Sequence, residues 1–212
     1  MLIGVTDSKN IYANDTGAKT HDYSISLTGH RPNKLWGYNL SNYHYKLLFN
    51  KLLIIIDNEL NNHAIVNCHS GMALGADTVW AYAILSRKKK YPNRVNFIAD
   101  IPFNNQSSKW SIDDQHRYSE LMSKADDRNI YSDNYTNYCM MKRNKGLVDN
   151  ADLVIAIYDT GHGGTFNTIK YARSKNKRII TINPATIGWK EWLIWMKITI
   201  LNYLINISAN LN

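Results

Sequence analysis

The chain has 212 residues, of which 44% are hydrophobic, and this is enough to bury the core of one domain. Its formal net charge of +8 attracts anions, from nucleotides to nucleic acids and acidic proteins. No run of about 20 uncharged apolar residues occurs, which excludes a membrane span, and we expect no signal peptide. Cys68 and Cys139 are too few for a disulfide framework, so we expect a reducing, cytoplasmic location.

Short apolar runs alternate with helical patterns along most of the chain. The predicted elements are strands at 24–29, 63–71, 94–103, 129–133, 151–159 and 177–184, and helices at 41–60, 73–90, 111–125, 136–150 and 165–175. Ser41 and Ser111 are the predicted N-caps of the first and third helices. Strands that alternate with helices predict a parallel sheet covered on both faces. The predicted fold is a Rossmann-like α/β domain of three layers with a mainly parallel sheet.

The predicted domain covers residues 23–186, and both ends of the chain lie outside it. Residues 1–22 contain "LIGVTD", which fits either an extra edge strand or a flexible arm. Residues 187–212 are rich in Trp, Ile and Leu, and they predict an amphipathic helix that packs on the domain or forms a dimer contact. A helix on a membrane surface is a further alternative. We expect a homo-oligomer, and a dimer in particular.

The densest basic run is "RKKKYPNR", at residues 87–94. It stands where a predicted helix ends, and cations there interact favourably with the helix dipole. This favours a solvated surface, with a nucleic-acid patch as the alternative.

A first candidate site is the loop "TGHRP" at residues 28–32, because ligands in open α/β sheets bind beyond the carboxyl ends of the strands. Gly29 permits a sharp exit from the strand, and His30 and Arg31 follow where an anion would lie. The planar guanidinium of Arg31 can hold a phosphate with two hydrogen bonds. The alternative is that these residues only shape a turn.

Two glycine-rich loops precede predicted helices, where backbone N–H groups and the helix dipole favour a phosphate. The first loop contributes Ser70, Gly71 and Gly75. Asp77 follows it, either as an acceptor for a ribose hydroxyl or as an acid matched to the helix dipole. The second loop follows the most apolar strand, and its candidate residues are Asp159, Gly161, Gly163, Gly164 and Thr165. Two such loops at one sheet edge predict a phosphate-containing ligand.

Two other features of the sequence bear on ligand chemistry. Trp110 ends the loop at 101–110, where it either stacks on a base or covers the core. Cys68 and His69 are adjacent, but no second pair with metal-ligand spacing accompanies them. We therefore expect neither a metal nor a cofactor.

The stretches "SLTGHRP", "HSGMALGADTVWAYA", "IPFNNQSSKW" and "MMKRNKGLVDNADLVIAIYDTGHGGT" together resemble the YpsA-like family, a domain of unknown function. That family belongs to the SLOG superfamily of Rossmann-like nucleotide-ligand domains. The resemblance covers about residues 24–184, with the four motifs in the expected order. It implies a nucleotide-derived ligand. The superfamily includes the "lonely guy" phosphoribohydrolases, which cleave a base from a nucleoside monophosphate, and DprA, which binds single-stranded DNA.

The hydrolase comparison can be made residue by residue. Those enzymes pair an Arg, nine residues before the Asp that starts a strand, with a Glu three residues after a Gly-Thr pair. Counting from Asp152 reaches Arg143, but counting from Thr165 reaches Thr168, which has no carboxylate. A threonine can neither take a proton nor stabilise positive charge on the ribose as a carboxylate can. Arg143 and Asp77 would be the catalytic residues if the chain were an enzyme, with Asp159 as another substitute acid.

The sequence therefore predicts first a protein that binds a nucleotide-derived small molecule, to sense or sequester a signalling nucleotide. The glycine loops would hold the phosphate, Arg31 and Arg143 would neutralise it, Asp77 would hold the ribose and Trp110 would stack on the base. Phosphoribohydrolase-like cleavage of a nucleoside monophosphate is the second hypothesis. Binding of single-stranded DNA, as in DprA, is the third.

Overall fold

A computed structural model describes residues 22–188. The predicted arm or edge strand at the N-terminus, and the predicted helix or dimer contact of the tail, lie outside the described residues. Both stay predictions. No helix within residues 22–188 combines the length and the apolar character that crossing a membrane requires.

Strands and α-helices alternate through the described part of the chain. The strands are β1 (Tyr23–Gly29), β2 (Val66–Ser70), β3 (Val95–Ile101), β4 (Asp127–Ile130), β5 (Leu153–Ile157) and β6 (Arg178–Ile182). The α-helices are α1 (Tyr43–Asn62), α2 (Ala76–Lys90), α3 (Ile112–Ser123), α4 (Cys139–Asp149) and α5 (Gly164–Ser174). Each predicted element is present, with ends that shift by a few residues.

The six strands form one sheet in the order β4-β3-β2-β1-β5-β6, and every neighbouring pair is parallel. The chain builds outwards from β1 to β4 and then crosses back to place β5 on the other side of β1. The strand order therefore reverses between β1 and β5. In open α/β sheets a crevice forms beyond the carboxyl ends of the strands at such a point.

Helices cover both faces of the sheet, so the three-layer Rossmann-like α/β prediction is confirmed. One core cluster joins inward side chains of the sheet, such as Leu27 and Phe97, to Leu52 of α1 and Trp80 of α2. On the other face, Val154 of β5 packs with Val148 of α4 and Ala172 of α5. Both faces are buried, which explains why the strands read as short apolar runs with little polar alternation.

The predicted caps have different outcomes. Ser111 caps α3, since its hydroxyl accepts the Asp114 N–H at 3.2 Å. The prediction for Ser41 is wrong, because α1 begins two residues later and Asn42 is its cap, accepting the His44 N–H at 2.9 Å. The backbone N–H of Ser41 itself donates to the Asn39 side chain.

The basic run at residues 87–94 contacts neighbouring elements at the amino ends of the strands. Arg87 pairs with Asp57 of α1 at 2.6 Å, and Lys88 pairs with Asp126 before β4 at 2.5 Å. Arg94 donates to the Leu60 and His63 carbonyls at the end of α1, at 2.6 and 2.9 Å. Arg87, Lys88 and Arg94 are therefore engaged in contacts within the domain, and they lie away from the carboxyl edge of the sheet.

Two isoleucines of α1 give a matched test of this core. Ile56 is fully buried, whereas Ile54 is 57% exposed on the same helix. We expect Ile56→Ala to lower the free energy of unfolding by about 2–5 kcal/mol, because it removes buried methyl groups and leaves a cavity. Ile54→Ala should change it by no more than about 0.5 kcal/mol. Urea unfolding of both variants measures the difference, and equal losses would contradict the described packing.

Candidate functional site

A cavity of about 310 Å³ opens between the carboxyl ends of β1 and β5. Four segments line it: the end of β1 with its loop, the start of α2, the inner face of α4, and the glycine-rich loop that leads into α5. The cavity therefore lies at the point where the strand order reverses, as expected for a ligand site in this type of sheet.

The structure brings together eight of the predicted site residues and leaves six outside the cavity lining. Those that line the cavity are Gly29, His30, Arg31, Asp77, Arg143, Gly163, Gly164 and Thr165. Those outside the lining are Ser70, Gly71, Gly75, Trp110, Asp159 and Gly161. Each of the two groups has a physical explanation.

Arg143 and Asp77 form the charged floor of the cavity. Both side chains are buried, with 6% of the Arg143 side chain and 7% of the Asp77 side chain exposed. Arg143 Nη1 lies 3.6 Å from Asp77 Oδ1, which is an ion pair too long to be a hydrogen bond. Arg143 Nε is buried and has no hydrogen-bond partner among residues 22–188. Residues 22–188 thus compensate the charge of the guanidinium only in part.

Burial shifts the protonation equilibria of both groups towards their neutral forms. It raises the pKa of the Asp77 carboxyl above its ordinary value of 3.8, although the positive charges of Arg143 and Arg31 oppose that shift. Burial also lowers the pKa of Arg143, against the attraction of Asp77. The floor therefore favours a ligand that brings negative charge to the guanidinium.

Gly71 serves Arg143 rather than the cavity. A Cβ atom at this position would lie 1.4 Å from Arg143 Nη1 and 2.7 Å from Asp77 Oδ1. The absence of a side chain is what leaves room for the guanidinium beside Asp77. The sequence suggested that Gly71 forms part of a phosphate cradle, but the space beside it is filled by the Arg143 guanidinium.

Gly75 has a similar structural role at the start of α2. Its φ is +92°, and a Cβ atom would lie 2.7 Å from the His30 carbonyl oxygen. That carbonyl accepts the Ala76 N–H at 3.2 Å. The β1 loop thus closes the N-terminus of α2, and Ser70 turns inward to accept the Met72 N–H. Within the first glycine loop, Ala73 lines the cavity, whereas Gly71 and Gly75 do not.

The second glycine loop does present its backbone to the cavity. Gly163 is the N-cap of α5 with φ +140°, and no side chain caps this helix. Gly164 and Thr165 in the first turn line the cavity. The first N–H groups of a helix have no partner within the helix and attract anions. Of the two predicted cradles, this is the one whose glycines line the cavity.

Thr168 stands where the hydrolase comparison expects a glutamate. Its hydroxyl donates to the Gly164 carbonyl at 2.8 Å, and the side chain is buried within α5. It does not line the cavity. Among the described lining residues Asp77 is the only carboxylic acid.

His30 connects the two loops on either side of the cavity. Its Nε2 lies 2.7 Å from Asp159 Oδ1, between the loop after β1 and the loop after β5. Asp159 also accepts the Thr160 N–H, and these two hydrogen bonds hold the pKa of its carboxyl below the usual range. Asp159 itself does not line the cavity, but it contacts His30, which does.

Three aromatic residues in the cavity were missed by the sequence reasoning. Tyr158, His162 and Phe166 all line it. The Phe166 ring centroid lies 5.3 Å from that of His162 and 6.4 Å from that of Tyr158. All three flank the glycines of the second loop, and that proximity was the signal that could have identified them.

Trp110, the predicted stacking residue, packs elsewhere. Its ring meets Tyr118 of α3 edge-on, with centroids 5.4 Å apart. It lies outside the cavity lining.

A buried polar cluster stands behind α4, and the sequence reasoning did not foresee it. Asp100 accepts from Tyr131 at 2.8 Å and from Asn129 at 3.1 Å, and it pairs with His69 at 2.8 Å. The Tyr131 hydroxyl lies against Gly146, where a Cβ atom would be only 2.0 Å away. Since Gly146 is about one turn beyond Arg143 on α4, this contact helps to fix the position of the guanidinium.

Comparison with known proteins agrees with the described geometry. The profile of the YspA SLOG family matches residues 25–187. The chain is 30% identical over 139 residues to the uncharacterized SPbeta prophage-derived protein YoqJ of Bacillus subtilis, a match that covers 59% of this chain and 80% of YoqJ. It is 30% identical over 94 residues to a UPF0398 protein of Brevibacillus brevis, covering 43% of this chain and 50% of that protein.

A solved structure shares the fold at low sequence identity. DNA processing protein A (DprA) of Streptococcus pneumoniae superposes with a TM-score of 0.51 and 14% identity. The superposition covers 81% of this chain and 56% of DprA, so it spans little more than half of that protein. At this identity the likeness concerns the fold alone.

The raised pKa of Asp77 leads to a pH-dependent test. Well below about pH 3.9, the ordinary pKa of an aspartate, the carboxyl is protonated in both the folded and the unfolded chain. At higher pH the unfolded chain loses this proton first, so the folded wild type loses stability relative to Asp77→Asn. We expect the difference in free energy of unfolding, variant minus wild type, to increase as the pH rises from 4 to 8. Chemical denaturation at a series of pH values measures it, and a difference that stays constant would refute the shift.

Proposed function

We propose, on the premise that the chain belongs to the YspA SLOG family, that it binds a nucleotide-derived small molecule in the cavity between β1 and β5. The observation that carries the proposal is Arg143, a buried guanidinium that lines the same cavity as the first turn of α5 and whose Nε has no hydrogen-bond partner among residues 22–188. A buried cation of this kind costs free energy unless an anion compensates it. A phosphate in the cavity would supply that anion.

The phosphate would lie between the first turn of α5 and the basic side chains of the cavity. Gly164 and Thr165 provide backbone N–H groups, and the helix dipole adds to the attraction. Arg31 and Lys34, which follow β1, add positive charge from the opposite wall. Arg143 approaches from the floor, so positive groups surround the phosphate on three sides.

The remaining lining suits the nucleoside part of such a ligand. Tyr158, His162 and Phe166 offer aromatic surface on which a base can stack. Asp77 would accept hydrogen bonds from the ribose hydroxyls, as an Asp or Glu does in dinucleotide-binding Rossmann domains. The volume of about 310 Å³ is at the lower end of the range for small-molecule sites, which favours a ligand of mononucleotide size.

Binding without cleavage of the glycosidic bond is the preferred form of this proposal. Thr168 stands where the hydrolases have a glutamate, and it is buried. That position therefore supplies no acid to the cavity. Asp77 would have to act in its place while lying 3.6 Å from Arg143. Sensing or sequestering of a signalling nucleotide follows as the finer proposal. Steady release of free base from a nucleoside monophosphate would establish the hydrolase alternative instead.

The direct experiment is mass spectrometry of small molecules released from gently purified and then denatured protein. A mass that corresponds to an intact nucleotide derivative supports the proposal and identifies the ligand class. A protein without a bound molecule is then tested against a broad nucleotide panel by thermal shift. No shift with any nucleotide would refute the proposal.

Arg31 allows a test with a matched control. We expect Arg31→Gln to weaken the binding of adenosine 5′-monophosphate by about 10- to 100-fold, because it removes a charge-assisted hydrogen bond to phosphate. Arg173→Gln makes the same change of charge at the exposed far end of α5, and it should leave the affinity almost unchanged. Isothermal titration at fixed salt measures both variants. Equal effects would indicate that only net charge matters.

A separate observation favours single-stranded DNA as a second candidate ligand. The segment before α4 carries two exposed aromatic side chains, Tyr135 at 64% and Tyr138 at 71% exposure, and Phe103 supports the first of them edge-on. Lys142 follows them on the exposed side of α4, whose inner side lines the cavity. Stacking aromatics beside positive charge are what single strands bind.

This second candidate predicts a stacking contribution that depends on bases. We expect Tyr138→Ala to reduce the affinity for an oligothymidine by about 1–3 kcal/mol per stacked base, and binding of the wild type to weaken as salt increases. An abasic oligonucleotide of equal length is the control, since it has no bases to stack. Fluorescence anisotropy follows the binding, and the same loss on the abasic strand would rule out stacking.

A further inference from the structure

The contact between His30 and Asp159 joins a titratable ring to the wall of the cavity. His30 Nε2 and Asp159 Oδ1 are 2.7 Å apart, although the two residues are separated by 129 positions in the chain. A carboxylate at this distance accepts the N–H of an imidazole and fixes its orientation. The proton of the neutral ring is then on Nε2.

The other ring nitrogen, Nδ1, is left with a lone pair. Within residues 22–188 the side-chain hydrogen bond of His30 is made by Nε2 and not by Nδ1. His30 is 6% exposed, and it is one of the residues that line the cavity. Tyr158 packs beside it with ring centroids 5.6 Å apart, which restricts its movement. An oriented imidazole with an unprotonated nitrogen is a nucleophile or a general base.

The same cavity contains the groups that stabilise a phosphoryl group during transfer. Arg31 and Arg143 line it together with the first turn of α5. Such groups act mainly through positioning and through their attraction for the charge on the equatorial oxygens. Asp77 lines the cavity as well and can supply a proton.

We propose that His30, oriented by Asp159, gives this cavity a phosphomonoesterase activity that proceeds through a phosphohistidine. The inference rests on the proposed function, since the substrate is a nucleoside monophosphate held by the same groups. Asp159 is the positioning residue, because it acts on the reaction through His30.

The reaction has two steps. In the first, the Nδ1 lone pair of His30 attacks phosphorus, the P–O bond to the nucleoside breaks, and the Asp77 carboxyl donates its proton to the leaving oxygen. In the second, a water molecule attacks the phosphorus, the P–N bond breaks, and the Asp77 carboxylate takes a proton from that water. The products are the nucleoside and inorganic phosphate, and both His30 and Asp77 return to their starting forms.

The surroundings of Asp77 agree with its role as the acid. Burial raises the pKa of its carboxyl, which favours the protonated form that the first step requires. Catalytic acids are commonly tuned in this way by burial.

The test uses the full-length protein with adenosine 5′-monophosphate and p-nitrophenyl phosphate as substrates. We expect the wild type to release inorganic phosphate, and we expect an acid-labile, alkali-stable phosphate on the peptide that contains His30. His30→Asn should reduce the release to the level without protein. Asp159→Asn should reduce it by about 100-fold or more, because the ring loses its orientation. His116→Asn, on the exposed side of α3, is the matched control and should keep full activity.

Binding of adenosine 5′-monophosphate is measured on the same samples. Nucleotide binding by the wild type without phosphate release overturns this inference and leaves the proposed function intact. Release that persists in His30→Asn also overturns it. If the wild type neither binds nucleotide nor releases phosphate from either substrate, both proposals fail. Release that is lost in His30→Asn while nucleotide binding persists, together with the phosphohistidine, supports the inference.

Discussion

The charge of Arg143 is brought into the interior of the protein at the point where four segments meet, and much of the local structure accommodates it. A buried guanidinium is unfavourable unless nearby groups compensate it. Asp77 does so only partly, at 3.6 Å. Gly71 leaves the space that the guanidinium occupies, and Tyr131 packs against Gly146 about one turn along the same helix. This arrangement is the one that the proposed contact of Arg143 with an anion requires.

The loop after β1 is the second organising feature, because its residues contact α2, the second glycine loop and the cavity. The His30 carbonyl closes the N-terminus of α2, and the His30 ring holds the glycine loop through Asp159. Arg31 faces the cavity. One short loop thus connects the core packing, the opposite wall of the site and the ligand space. Changes within it are expected to combine effects on folding with effects on binding.

The sequence was sufficient for the architecture because alternating apolar runs and helical spacing follow directly from burial on both faces of a parallel sheet. It was less informative about glycines. Gly71, Gly75 and Gly163 are alike in sequence, but the first makes room for a side chain, the second for a carbonyl, and the third faces the cavity. Which of these holds depends on residues far along the chain. The cluster around Asp100 and the packing of Trp110 depend on tertiary contacts in the same way.

The pairing of β1 with β5 also bears on how the protein forms. Asp152, just before β5, accepts the Ser24 N–H at the start of β1, and the two residues are 128 positions apart. Contacts of such long range require the closure of a large loop and tend to form late in folding. During synthesis, β1 through β4 can associate before the ribosome has completed β5 and α5, which form the far wall of the cavity. The ligand site would then be completed only in the last stage of assembly, so a bound nucleotide would stabilise the finished domain and none of its partial forms.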